Sequence, residues 1–301
     1  MSALPDLFPG FESKMLPGKG AELFARTGGN GPPLVLLHGY PQTHAAWHRL
    51  APGLAKHFSV IIPDLRGYGQ SSCPVSDKEH YAYSKRAMAE DVAEAMASLG
   101  HKRFSLIGHD RGARVGYRLA LDHGDRLDKL VLLDILPTYV MWESMNRGLA
   151  MSAYHWLFLA QPHPMPETLI SKSPAYYLEH TLASWSLPKS LSVFDKGALK
   201  HYRALMESPE RVHAFCEDYR AGQTYDYAAD ERDVKAGRKI KRPTLILWGT
   251  DYVAKRAASP LDTWKSWCED VRGQSIVSGH FLAEEVPEET LKLILEFLRG
   301  E

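Results

Sequence analysis

A carboxylate in a tight, glycine-flanked turn is the feature of this sequence best placed for covalent chemistry. Gly108-His109-Asp110-Arg111-Gly112 lies between an apolar run at residues 104–107 and a helix-like segment at 113–121. The glycines permit the close backbone contacts of a sharp turn. A strand-turn-helix setting leaves the central side chain exposed at the carboxyl end of a sheet, as a nucleophile elbow does. Aspartate at that position is ionised at neutral pH and attacks a saturated carbon without a base to activate it. Attack expels a leaving group and leaves an alkyl ester on Asp110. Hydrolysis of that ester does need a base.

His280 is the candidate base, in Ser278-Gly279-His280-Phe281 after the last strand-like run and before the final helix. Asp134, which ends the run at 130–133, is the preferred acid to orient it. Asp251, after Trp248-Gly249-Thr250, is the rival, and both positions are able to reach the histidine. Ester hydrolysis creates an oxyanion, for which the expected donors are the backbone N–H of Arg111, next after the nucleophile, and of Tyr40 in His38-Gly39-Tyr40-Pro41. Such donors do not depend on the side chain. His38 and His109 are read as structural.

The elements that must hold these residues are visible as short apolar runs at 34–37, 60–62, 104–107 and 130–133, then at 244–248 and 275–277. They alternate with amphipathic segments such as that carrying Met88, Val92, Ala95, Met96 and Leu99, which predicts a parallel sheet flanked by helices. Residues 139–241 interrupt the alternation. They are aromatic-rich and helix-like, with breaks at Gln161-Pro162-His163-Pro164 and Leu187-Pro188, and the stretch is too long for a simple connection. The expectation is an α/β-hydrolase fold, with a mostly parallel central sheet in a core of residues 1–138 and 242–301. An inserted helical cap would span 139–241. Nucleophile, acid and histidine then follow one another in the chain order usual for that fold.

Lys+Arg and Asp+Glu both number 36, which gives no reason to expect nucleic acid or an anionic membrane as partner. Hydrophobic residues make up 45% of the chain, enough for a large core. Cys73, Cys216 and Cys268 lack metal-ligand spacing and fit a reducing compartment. Without a secretory-type leader or an apolar membrane span, a soluble cytoplasmic protein is expected.

The elbow His109-Asp110-Arg111-Gly112-Ala113-Arg114 resembles that of the fluoroacetate dehalogenases. The resemblance extends over most of the chain, including residues 37–44, 133–139, 154–156, 183–185, 216–222 and 278–282. Tyr40 stands where that family usually has Phe. The resemblance implies Asp110 as nucleophile, with Asp134 and His280 as the acid–base pair. It further implies that Arg111 and Arg114 clamp the substrate carboxylate, a role suited to a planar fork of donors. His155, Trp156 and Tyr219 would hold the departing halide by hydrogen bonds, and Tyr154 and Trp185 are candidate pocket lining. The implied reaction converts fluoroacetate to glycolate and fluoride with no metal or organic cofactor, in a homodimer. Two other readings stay open. An epoxide hydrolase uses the same Asp and His logic with cap tyrosines, although the two arginines would then face a neutral substrate. A non-catalytic binding protein on the same scaffold should have lost part of this machinery.

Overall fold

The computed structural model describes residues 4–252 and 259–300. Eight strands form one sheet: β1 (Glu12–Pro17), β2 (Glu22–Gly28), β3 (Pro33–Leu37), β4 (Ser59–Pro63), β5 (Phe104–His109), β6 (Leu127–Leu133), β7 (Thr244–Gly249) and β8 (Val271–Ile276). Their spatial order is β1-β2-β4-β3-β5-β6-β7-β8. The β1/β2 and β2/β4 pairs are antiparallel and the others parallel.

Alternation of side chains sends successive strand residues to opposite faces, and both faces are covered, so the central strands read as continuous apolar runs. Val35, Leu37, Leu106, Leu130, Leu132 and Ile246 pack with Val92, Val115 and Leu119, which belong to the helices Lys85–Ser98 and Arg111–Asp122. Leu34, Leu36, Ile107, Val131, Leu133 and Leu247 pack on the other face with Ile294 and Phe297 of the helix Pro287–Arg299. Burying each Leu stabilises by about 1.5–3 kcal/mol relative to exposure, so a one-residue slip of any central strand would be heavily penalised.

The two ends of the sheet depart from the sequence expectation. β1 carries no apolar run, since five of its six residues are exposed, and β2 holds only the short run Leu23-Phe24-Ala25. β8 begins at Val271 and ends at Ile276, before Val277, which is largely exposed. As an edge strand it covers little apolar surface, and its sequence Val-Arg-Gly-Gln-Ser-Ile has little periodic signal.

Between β6 and β7 the chain is helical, from Thr138–Glu143 to Tyr227–Lys235. The helix Pro209–Ala221 starts with proline in its first turn, and the Ser208 side chain accepts from the Arg211 N–H. It is buried without interruption from Ala214 to Ala221. These helices lay Tyr219 and Trp185 against Tyr40, and Trp185 against His280. Helix Lys196–Met206 contributes Tyr202, whose hydroxyl lies 3.2 Å from Glu284 Oε1, while Gln42 Nε2 donates to Glu284 Oε2.

Burial pushes the Glu284 carboxyl up from 4.5 to about 8, more than its Tyr202 bond lowers it. The unfolded carboxyl ionises near 4.5, so between the two values the folded chain binds more protons and stability falls as pH rises. The slope from this one group is at most about 1.4 kcal/mol per pH unit. Glu284→Gln cannot ionise. Its urea midpoint is expected to stay more nearly constant across that window than the native midpoint, and two parallel profiles would contradict this account of Glu284.

Candidate active site

Asp110 sits between β5 and the helix Arg111–Asp122 with φ 47° and ψ −115°, a conformation that non-glycine residues rarely adopt. Neighbouring backbone makes the turn possible. A Cβ on Gly112 would come within 2.4 Å of the carbonyl oxygens of Leu37 and His38, and one on Gly39 within 2.4 Å of the Asp110 Cβ. The Asp110 side chain is nearly buried, and its Oδ1 accepts from the Tyr40 N–H at 3.0 Å. Its other oxygen, Oδ2, lies 3.8 Å from His280 Nε2. The two carboxylate oxygens therefore differ: one is held by a backbone amide and the other faces the histidine. Among the described residues, the Arg111 N–H makes no hydrogen bond to Asp110.

Burial alone would raise the Asp110 pKa, but His280, His109, Arg114 and Arg111 hold it well below the usual carboxylate value. The group is thus an anion at neutral pH. His109 lies beside it with its pKa lowered to about 4, chiefly by burial and then by His280, and its Nε2 is 2.8 Å from the His280 carbonyl oxygen. His38 is held neutral in the same way, accepting at Nε2 from the Leu65 N–H. Both fit the structural roles expected for them.

His280 Nδ1 lies 2.6 Å from Asp134 Oδ2. Asp134 follows β6 with φ 53°, and its Oδ1 accepts from the Gly249 N–H at 2.9 Å. Of the two candidate acids, Asp134 is therefore the one brought to the His280 ring, with the carboxylate fixed on both sides. Asp251 Oδ2 pairs with Lys189 Nζ at 2.7 Å, near the surface. Tyr252, which the sequence did not single out, covers the His280 ring at 4.2 Å between centroids, with His109 at 4.5 Å and Trp185 at 5.4 Å.

Arg111 and Arg114 are both buried. Arg111 donates from Nε to Asp218 Oδ2 at 3.0 Å and from Nη2 to the Asp218 carbonyl oxygen at 2.7 Å. Lys85 also donates to Asp218, as does the Tyr68 hydroxyl at 2.8 Å. Asp226 accepts from the Lys85 N–H at 2.8 Å, so two cations and two anions balance behind the site. Arg111 and Lys85 hold Asp218 below its usual pKa against the opposing effect of burial. Arg114 Nη1 donates to the Leu136 carbonyl oxygen and to Thr138 Oγ1, each at 3.0 Å. Arg111 Nη1 and Arg114 Nε are buried without a hydrogen-bond partner among the described residues. Buried charged donors in that state suit a bound anion. The brace of Lys85 and Asp218 left no sign in the sequence, because Arg111 and Asp218 are 107 positions apart.

The cap aromatics close over the arginines. The Arg114 guanidinium lies 4.5 Å from the Trp156 ring centroid, and that of Arg111 lies 4.1 Å from Tyr219. His155 stands 5.8 Å from Tyr219 and 4.4 Å from Trp185, and Trp156 6.2 Å from Tyr219. Trp156 and Tyr219 thus face the arginines, with His155 packed beside Tyr219 and Trp185. Tyr154 is more peripheral, partly exposed and 6.1 Å from the His155 ring. It lines an open cavity of about 610 Å³ together with Trp185, Lys189, Asp251 and Tyr252. Trp185 and Tyr252 border both that cavity and His280, so the cavity leads toward the buried site.

A sequence-family profile described as alpha/beta hydrolase fold matches residues 32–285. The chain belongs to the α/β-hydrolase family. Among α/β-hydrolase relatives, a fluoroacetate dehalogenase from Burkholderia sp is 41% identical over 292 residues, covering 97% of this chain and 95% of that protein. A soluble epoxide hydrolase from Corynebacterium sp. (strain C12) is 32% identical over 273 residues, covering 90% and 91%. A solved structure from Nostoc sp PCC 7120, described as an α/β hydrolase, is 48% identical with a TM-score of 0.92, covering 96% of this chain and 98% of that one. In this α/β hydrolase, no helix among the described residues is long and apolar enough to cross a membrane.

Proposed function

We propose that the chain is a hydrolytic dehalogenase of small 2-haloacids, converting fluoroacetate to glycolate and fluoride. The observation that carries this reading is the pair of buried guanidiniums beside an ionised Asp110, each with an N–H unmatched among the described residues. A carboxylate-bearing substrate satisfies both, whereas a neutral epoxide offers no anion to these two buried N–H donors, of which Arg114 otherwise donates only to neutral oxygens. The match to the Burkholderia fluoroacetate dehalogenase exceeds that to the Corynebacterium soluble epoxide hydrolase in identity and coverage, which points the same way.

In this mechanism Arg111 and Arg114 hold the carboxylate and present the halogen-bearing carbon to Asp110 Oδ2. The carbon–oxygen bond forms as the carbon–halogen bond breaks on the opposite side, and the halide leaves toward His155, Trp156 and Tyr219. Fluoride is a poor leaving group, so directional N–H and O–H donors contribute most as its charge develops. His280, oriented by Asp134, then deprotonates a water that adds to the ester carbonyl. The carbonyl oxygen is Oδ1, already on the Tyr40 N–H, and the Arg111 N–H is the second oxyanion donor. Residues 139–241 act as a cap on a core of 1–138 and 242–301. Free thiols at Cys73, Cys216 and Cys268 fit a cytoplasmic setting, and the family resemblance implies a homodimer.

Fluoride release from fluoroacetate, with chloroacetate and styrene oxide in parallel, tests the reading. Both haloacids should be consumed and the neutral epoxide spared, while turnover of the epoxide alone would replace it with an epoxide hydrolase. Arg114→Ala removes one charge-assisted contact, about 1.5–3 kcal/mol, and should lower kcat/KM for haloacids by roughly 10–100-fold, mostly through KM. An unchanged response to fluoroacetate would remove Arg114 from the clamp.

A further inference from the structure

Tyr219 is buried, and its hydroxyl has no hydrogen-bond partner among the described residues. Leaving such a group unsatisfied costs about 1–3 kcal/mol, a cost recovered when a ligand atom takes the bond. The ring is fixed from two sides. It stands edge-on to Tyr40 at 5.4 Å, on the loop whose amide holds Asp110, and the Arg111 guanidinium carbon lies 4.1 Å from its centroid. A departing halide needs a donated hydrogen bond but takes no proton. A phenol is able to do more than that, because it can give its proton up: burial and the Asp110 carboxylate raise the Tyr219 pKa well above its usual value against the Arg111 guanidinium, so the hydroxyl keeps its proton until a strongly basic alkoxide forms beside it.

We propose that the same pocket hydrolyses small 2,3-epoxycarboxylates such as glycidate. The inference rests on the haloacid reading for the positions of the carboxylate and the nucleophile. Arg111 and Arg114 hold the carboxylate, C2 takes the place of the halogen-bearing carbon, and the ring oxygen takes that of the halogen. Asp110 Oδ2 bonds to C2 as the C2–O bond breaks. The electron pair goes to the oxygen, which stays attached to C3, and the Tyr219 hydroxyl protonates it. Solvent returns a proton to the phenolate. His280 then takes a proton from water as the water oxygen adds to the ester carbonyl, and collapse expels the C2 oxygen, which receives that proton. Epoxide and one water give 2,3-dihydroxypropanoate, with no other reactant consumed. Relief of the three-membered ring assists the first step, so a site able to expel fluoride meets an easier bond here. The two arginines admit this epoxide by its charge and disfavour uncharged ones.

The test compares glycidate, its neutral amide glycidamide, fluoroacetate and chloroacetate with the wild-type enzyme and with Tyr219→Phe. Wild type should form glycerate from glycidate, with kcat/KM at least about 100-fold above that for glycidamide. Tyr219→Phe should lose about 100-fold or more with glycidate but only about 10-fold or less with chloroacetate, whose leaving group needs no proton. Chloroacetate turnover by the variant also reports an intact site. If the variant does not fold, the comparison of glycidate with glycidamide in wild type decides the question. Fluoride release without glycerate, equal losses on both substrates, or equal rates on glycidate and its amide would each overturn the inference. Glycerate without fluoride release would support it and overturn the dehalogenase reading instead, and absence of both products would overturn both.

Discussion

Replacement of His280 by Asn is expected to stop catalysis after one equivalent of fluoride per chain, with Asp110 left as its carboxymethyl ester. Asp110 needs no base: the substitution removes His280, the largest of the groups that lower its pKa, but Arg114 and Arg111 remain beside it, and a carboxylate is ionised at neutral pH, so the first step survives. The second step loses the group that deprotonates water, and Asn cannot replace it. Loss of a positioned general base slows a step by about 10²–10⁴-fold. That makes the ester long-lived enough for intact-protein and peptide mass spectrometry. The same substitution breaks the 2.6 Å contact with Asp134, leaving a buried carboxylate supported by the Gly249 N–H. Some loss of stability should therefore accompany the trapped ester. Sustained turnover by this variant, with no modified Asp110, would exclude His280 as the base.

Asp110→Asn has the other large effect, because it removes the bond-forming atom. Nucleophile removal in hydrolases that act through a covalent intermediate costs on the order of 10⁶-fold, or roughly 8 kcal/mol of barrier. Neither fluoride nor adduct should form. Asn keeps the shape and an acceptor for the Tyr40 N–H, so the fold and haloacid binding should persist. Mass spectrometry must show that the introduced side-chain amide has not itself hydrolysed back to the carboxylate. Fluoride release at the native rate from protein verified to retain that amide would rule out Asp110 as nucleophile.

Much of this arrangement could be read in the sequence because its pieces are local. The elbow is a pentapeptide with a strand before it and a helix after it, and its two glycines are needed because a Cβ on Gly108 would come within 2.5 Å of Ala113 Cα and one on Gly112 within 2.4 Å of the Leu37 and His38 carbonyl oxygens. His280 and Asp134 each follow a strand, and chain order suggested their partnership. The choice between Asp134 and Asp251 could not be made there, since it turns on which carboxylate points inward. The Gly249 amide holding Asp134 and the Lys189 ammonium on Asp251 supply that difference. His155, Trp156 and Tyr219 had no periodic or motif signal of their own and were named only through family resemblance. The Asp218 and Lys85 brace and the Tyr252 cover over His280 were missed, because long-range pairing leaves no trace in spacing. At the sheet edges, β1 and β8 bury too little apolar surface to produce an alternating pattern.

Single-turnover hydrolysis of fluoroacetate in water enriched in ¹⁸O, with enzyme in excess, tests the covalent route most directly. Water attacks the carbonyl carbon of the Asp110 ester, so the first glycolate carries away an unlabelled Asp110 oxygen. The heavy atom should be found in the Asp110 carboxylate. Heavy glycolate in that first turnover, with Asp110 unlabelled, would mean that water attacks the substrate itself, and the account would be wrong.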